Sequence, residues 1–276
     1  MSKRRIDLRG KRILVTGASS GIGRELALAL AGKGATLAVA ARRQELLDRL
    51  ADELFDTGSA RPIVLRADLA LPGAAADLGA RALKALGGVD IVINNAGANL
   101  TGAQSSVADS EAARRVFEVN LWSPLALTAA LLPAMHAAGS GTIVNVTSTV
   151  QAVPLPLLGY YAASKAALAQ ATRSLRLELA ETPIGVVEVV PGSTDTALRD
   201  IDELPWKTAP PRTAPPVSPA STAAAVVRAL QRGATRVVYP SYSLLPLEVP
   251  AIGRLVAAIG GRRVNTLGAL DLEGNR

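Results

Sequence analysis

Tyr161 and Lys165 stand four residues apart in the run YAASK, a spacing that turns both side chains to one face when the segment is helical. A phenol with its ordinary pKa of about 10 is a poor proton donor at neutral pH, whereas a neighbouring ammonium favours the phenolate and brings the group into a useful range. Such a pair can give a proton to, or take one from, an oxygen whose bond to carbon is changing order. Ser148, in NVTSTV, adds a hydroxyl able to orient that oxygen and the phenol without becoming a nucleophile, and equally able to cap a turn. Asn120, in VNLW, adds a carboxamide that can bind backbone or water and support a proton route to Lys165. Taken singly these are ordinary helix and turn residues; the chemistry lies in the set.

A second feature supplies a partner for that chemistry. In TGASSGIG, Thr16 to Gly23, the glycines Gly17, Gly21 and Gly23 make room for a sharp turn that brings main-chain amides close to a pyrophosphate. The spacing TGxxxGxG departs from GxGxxG and also suits a plain strand-to-helix junction; its place after the first strand favours a dinucleotide. Asp68, after the third strand, is placed to accept from an adenine amino group or to cap a turn. The second strand ends AVAARR, where an acidic residue would hold the ribose hydroxyls of NAD(H). Ala41, Arg42 and Arg43 instead leave space and positive charge for a 2′-phosphate, which favours NADP(H) over NAD(H), unless the arginines simply open a helix in solvent.

Strand and helix patterns alternate along the chain. Apolar runs at Arg12–Thr16, Thr36–Ala41, Pro62–Ala67, Val89–Asn94, Gly141–Val146, Ile184–Val190 and Arg236–Tyr239 predict seven strands. Between them, helices are expected over Ile22–Ala31, Gln44–Phe55, Pro72–Leu86, Gly159–Leu179 and a long stretch from Ala112 to Ala138, disrupted at Pro124 and Pro133. This is an α/β chain: a single-domain doubly wound Rossmann fold with a predominantly parallel seven-stranded sheet. The proline-rich stretch 197–219 predicts a partly ordered lid beside a pocket, with a surface insertion as the alternative. Residues 244–276 form a C-terminal extension suited to an interface or a pocket cover.

Composition narrows the classes. Of the 276 residues 49% are apolar, enough to fill one large core. The formal charge of +7 gathers at the two ends and aromatics are only 3%, so a nucleic-acid groove is not expected. The absence of cysteine excludes disulfides and thiolate ligands and is compatible with a reducing compartment; no apolar signal stretch follows the basic N-terminus, so the expectation is cytoplasmic. His136, the only histidine, has no companion ligands, and no metal is expected. Leu244–Gly260 is apolar but interrupted by Glu248, Arg254 and two prolines. It reads as a cover or subunit contact, with peripheral membrane contact less favoured. Asn145-Val146-Thr147 matches a glycosylation rule but falls inside a strand.

The ordered set TGASSGIG, Asp68-Leu69, NNAG at Asn94–Gly97, Asn120, Ser148, YAASK and PGSTDT at Pro191–Thr196 resembles the short-chain dehydrogenase/reductase family over nearly the whole chain. The resemblance implies a catalytic tetrad of Asn120, Ser148, Tyr161 and Lys165, with Ser148 on the substrate oxygen and Asn120 holding a water near Lys165. It implies a cofactor site from Gly17, Ser19, Ser20, Gly21, Ile22, Gly23, Leu69, Asn95, Ala96, Gly97, Pro191, Gly192 and Thr196, joined by Asp68, Tyr161 and Lys165. Some NADP-preferring relatives carry a basic residue at the position of Ser20; here the phosphate falls to Arg42, with help from Arg43. A homodimer or homotetramer is also implied.

Around the expected oxygen site Val150, Val153, Pro154, Leu155, Leu157 and Leu158, with Leu198 and Trp206, offer apolar surface for a hydrophobic carbonyl or alcohol substrate. The reading is an NADP(H)-dependent oxidoreductase interconverting a ketone or aldehyde and an alcohol, with Tyr161 as acid and base. Its competitors are a nucleotide-sensing or scaffolding protein without turnover, and an epimerase or dehydratase that regenerates its cofactor.

Overall fold

The computed structural model describes residues 5–196, 204–207 and 215–266. Seven strands form one sheet: β1 Arg12–Thr16, β2 Thr36–Ala41, β3 Ile63–Arg66, β4 Ile91–Asn94, β5 Gly141–Val146, β6 Ile184–Pro191 and β7 Arg236–Tyr239. Their order is β3-β2-β1-β4-β5-β6-β7 and every pairing is parallel. The chain winds outward from β1 in one direction, then returns to start the other half at β4. That reversal opens a crevice at the carboxyl ends of β1 and β4, where ligands of such sheets bind.

Ten helices are described: α1 Gly21–Ala31, α2 Gln44–Asp56, α3 Ala74–Leu86, α4 Gln104–Val107, α5 Glu111–Phe117, α6 Ser123–Ala137, α7 Gly159–Glu178, α8 Pro219–Gln231, α9 Leu244–Glu248 and α10 Pro250–Arg262. Alternation along β1 divides the core, as a strand buried on both faces requires. Ile13 and Val15 pack with Leu26 and Leu30 of α1, Leu50 of α2 and Val226 of α8. Leu14 faces the other layer, with Leu78 of α3 and Leu127 and Leu131 of α6.

Several boundaries move, some for evident local reasons. β3 and β4 start later than their apolar runs, and Asp90 before β4 is taken up by Arg12. Helix α3 begins at Ala74, because Gly73 takes φ +79°, a left-handed conformation outside a helix. The long helix expected from Ala112 runs from Glu111, capped by Ser110, to Ala137, and its irregularity is not at a proline. It is a π-helical segment at Glu118–Trp122, directly before α6, whose first turn holds Pro124. The apolar stretch Leu244–Gly260 is two helices: the segments Ser241–Glu248 and Pro250–Arg262 meet at 104°.

The lid expectation falls partly outside the described residues, at 197–203 and 208–214, and so does Leu198. Of its described parts, Val217 bridges Thr194, Pro219 opens α8, and Leu204–Lys207 is clamped to the C-terminal extension. Trp206 pairs with Val264 in an antiparallel bridge, Lys207 N donates to Arg263 O at 2.7 Å, and Asn265 N donates to Pro205 O at 2.7 Å.

Candidate active site

A cavity of about 1260 Å³ opens at the crevice between β1 and β4. At one end the turn after β1 is held by its neighbours' backbone. Thr16 Oγ1 donates to Ile93 O at 3.2 Å and accepts from the amides of Asn95 and Ala96, both at 3.0 Å. Asn95 Nδ2 donates to Thr16 O at 3.0 Å. This packing leaves no room for side chains on the glycines. A Cβ on Gly17 would lie 2.8 Å from Ala96 Cα, and one on Gly23 would collide with Gly17 O and Asn95 Nδ2. At Gly21, whose φ is +56°, a Cβ would meet Thr196 Cγ2 at 3.0 Å.

The turn therefore presents bare backbone and the N-terminus of α1 to the cavity, the environment a pyrophosphate takes. Ser20 precedes α1 without capping it. Its hydroxyl and that of Ser19 accept from Arg43 Nη2 at 2.9 and 3.0 Å. The guanidinium beside the glycine turn is thus Arg43, while Arg42, also on the wall, gives its carbonyl to Arg66 Nε at 3.3 Å. Both arginines named for a 2′-phosphate therefore lie on the cavity wall, with Arg43 the one tied to the serines. Asp68 lines the cavity and also stops a turn, its Oδ1 accepting from Ala70 N at 3.1 Å. Leu69, Ala96, Gly97, Ile22, Pro191, Gly192 and Thr196 lie on the same wall; Gly23 sits behind it.

Ser148, Tyr161 and Lys165 face the middle of the cavity. The Lys165 ammonium is 6.0 Å from the Tyr161 ring centre and donates to Val146 O at 2.9 Å. Burial pushes its pKa down from 10.5 to about 8, since a desolvated ammonium is disfavoured. Ser148 is in extended backbone at the end of β5, and its hydroxyl accepts from Val150 N at 3.4 Å. It is both a cavity residue and a turn cap.

Asn120 is brought near this group but not onto the wall. Fully buried in the π-helical segment, its Oδ1 accepts from Ala98 N at 2.8 Å, and its Nδ2 donates to Ala98 O at 2.8 Å and to Ser164 Oγ at 2.9 Å. Ser164 Oγ in turn donates to Tyr161 O at 2.8 Å. The carboxamide is engaged by backbone and Ser164, a strut joining the Ala98 loop to the turn that bears Tyr161. Sequence reasoning passed over Ser164; its only signal was a polar side chain between Ala163 and Lys165 on the inward side of α7.

The far end of the cavity is apolar. Val150, Val153, Leu155, Leu158 and Trp206 line it as expected, while Pro154 and Leu157 do not, Leu157 packing instead with Ala103, Leu204 and Val264. Its roof was not foreseen in detail: Pro246, Val256 and Ile259 come from the C-terminal extension, beside Ser243 just before it. Helix α10 approaches closely because Gly253 and Gly260 lack side chains, with a Cβ at Gly260 lying 2.8 Å from Leu155 Cδ2. Tyr160 points away and donates to Ala108 O. Asn145 is buried and donates to Thr172 Oγ1 at 2.9 Å, which disposes of the glycosylation match. Among the described residues no cluster of metal-ligating side chains occurs.

A bare-backbone turn, a tyrosine, a buried lysine and a serine thus share one cavity. The family model for the short chain dehydrogenases matches residues 11–203, and the chain belongs to that family. It is 39% identical over 197 residues to rat dehydrogenase/reductase SDR family member 7B, covering 69% of this chain and 60% of that protein, so it spans about 60% of this relative's length. A short-chain dehydrogenase from Sphingobium yanoikuyae in complex with NADPH superimposes with a TM-score of 0.76 at 30% identity, covering 89% of this chain and 93% of that one. One from Burkholderia phymatum in complex with NAD gives 0.79 at 22% identity, over 95% and 99%, a likeness of fold.

Proposed function

We propose that the protein is an NADP(H)-dependent reductase or dehydrogenase that interconverts a hydrophobic ketone or aldehyde and the corresponding alcohol. The observation that carries this reading is the convergence of Ser148, Tyr161 and the desolvated Lys165 on one cavity wall, between a bare-backbone turn and an apolar pocket. The residues fit a dinucleotide: the turn has no Cβ where a pyrophosphate would pass, and Arg43 with Ser19 and Ser20 offers a cationic, hydroxyl-rich corner for a 2′-phosphate. Its nicotinamide, when bound, supplies or accepts hydride at the carbonyl carbon.

Tyr161 protonates the carbonyl oxygen in reduction and removes the alcohol proton in oxidation. Lys165 keeps the phenol acidic by its charge and has further N–H donors beyond the one given to Val146 O for a ribose hydroxyl. Ser148 donates to the same oxygen and sets its distance from the phenol. The apolar roof excludes water and selects an uncharged body. The exposed Trp122 between α5 and α6 supports a homodimer or homotetramer formed through those helices.

The test follows the absorbance of NADPH, and separately NADH, over a panel of hydrophobic ketones and aldehydes. Wild type should prefer NADPH, Arg43→Ala should erase that preference, and Tyr161→Phe should lose about 10²- to 10⁴-fold in kcat. Tight nucleotide binding with no turnover on the panel, or on matched alcohols with NADP⁺, would refute the reading in favour of a sensor.

A further inference from the structure

β6 reads IGVVEVVP, and its single charged residue, Glu188, has no exposed surface. It sits between β5 and β7, level with Asn145 and Arg236. A valine would be the inexpensive occupant of such a position, since a buried carboxylate must recover a desolvation cost of several kcal/mol from its partners. Those partners are incompletely matched. Arg236 Nε lies 3.3 Å from Glu188 Oε2 and Arg173 Nη2 lies 3.7 Å from Oε1, yet Glu188 Oε2, Arg236 Nε and Gln151 Oε1 all lack a hydrogen bond. A half-satisfied cluster is a poor device for stability.

Its geometry is better suited to another task. Glu188 Oε1 accepts from Gln151 Nε2 at 3.1 Å and lies 3.5 Å from Thr147 Oγ1. Thr147 and Gln151 bracket Ser148: Thr147 N and Oγ1 donate to Val189 O at 2.8 and 3.1 Å, and Gln151 N donates to Ser148 O at 3.2 Å. One carboxylate oxygen thus reaches both ends of the short turn that presents the serine. On its other side Arg236 binds Glu248 of α9, two residues beyond Pro246 in the cavity roof.

We propose that Glu188 is a positioning residue for Ser148, acting through Gln151, and that Arg236 ties the roof helix α9 to the same carboxylate. The proposal rests on the reductase reading for its kinetic test. With the roof seated, Glu248 holds Arg236 against Glu188, and the serine turn is drawn to its working place. Without that anchor the turn keeps its Thr147–Val189 contacts but loses the restraint at Gln151.

Two variants are compared. Glu188→Gln keeps the shape and removes the charge; Gln151→Leu, at a half-buried position, leaves the ion cluster intact and removes only the link. Each should lower kcat about 10-fold or more, as expected when a reacting group is misplaced by a fraction of an ångström to an ångström, with the KM for NADPH unchanged. In a Ser148→Ala background the same substitutions should have no further effect on the residual rate, because the group they position is gone. An unchanged kcat in both variants, or an equal loss with and without Ser148, overturns the proposal. If wild type has no turnover, the functional reading fails on its own, and crystal structures of wild type and Gln151→Leu decide the inference: residues 148–151 displaced supports it, and residues 148–151 unmoved overturns it.

Discussion

The two ends of the cavity are built on opposite principles. At the nucleotide end the wall is main chain, and its shape is set by what cannot be there: a Cβ on Gly17 or Gly23 meets backbone or the locked Asn95 amide. At the substrate end the wall is Val150, Leu155, Val256 and Ile259, apolar side chains on separate elements whose far ends can rotate. Tyr161 and Lys165 stand between. A fixed ligand is met by sterics and a variable one by deformable surface, so equal substitutions at the two ends should have unequal consequences.

The strongest way to break that comparison is Gly23→Ala. Alanine favours a helix by about 1 kcal/mol over glycine, but here the methyl group is driven into Gly17 O and Asn95 Nδ2, and neither can yield without moving the turn. Nucleotide affinity should fall by at least about 10-fold, equivalent to ~1.4 kcal/mol, with a lower melting temperature; calorimetric titration and a thermal scan read both. Unchanged affinity would show that the turn is as pliant as the far wall.

A second prediction concerns the residue at the centre. The Lys165 ammonium is held down to about 8 by burial, so its charge is lost as pH rises through that value. Reduction, which uses the charged form, should have a kcat/KM that is flat below that pH and falls roughly tenfold per unit above it. Lys165→Met should be slow throughout and lack this limb. A pH–rate series on the free enzyme separates the outcomes.

The smallest effect is expected at Gly260→Ala, where the new methyl meets the tip of Leu155 at 2.8 Å, a flexible side chain that can turn aside. Stability should change by less than ~1 kcal/mol, while preference among bulky ketones shifts as the roof lifts. A loss comparable with that at Gly23 would mean that the substrate end is as rigid as the nucleotide end.

The same contrast governs what could be read from the chain. Parallel strands buried on both faces leave continuous apolar runs, so all seven were visible, four of them with their observed bounds. The glycine turn was visible because steric exclusion writes itself in residue type. Tyr161, Lys165 and Ser148 were visible through spacing and position. The π-helical segment was not, since it is an error of hydrogen-bond register that no side chain announces, and the prolines at 124 and 133 suggested the wrong place. That Arg43 is the side chain folded back over Ser19 and Ser20 is a matter of rotamer. Glu188 and Ser164 act through contacts to residues distant in sequence or hidden in a helix face, and composition carries no trace of that.

The clasp between Leu204–Lys207 and the C-terminal extension uses main-chain atoms in its described hydrogen bonds: Lys207 N to Arg263 O and Asn265 N to Pro205 O. That pairing depends on main chain, and Leu204 and Val264 bury its apolar side away from the cavity. Exchange of the cavity-facing residues Val150, Val256 and Ile259 one at a time would alter what the cavity accepts while the main-chain pairing keeps the roof fastened. The part of the protein that is hardest to read is also the part freest to be rewritten.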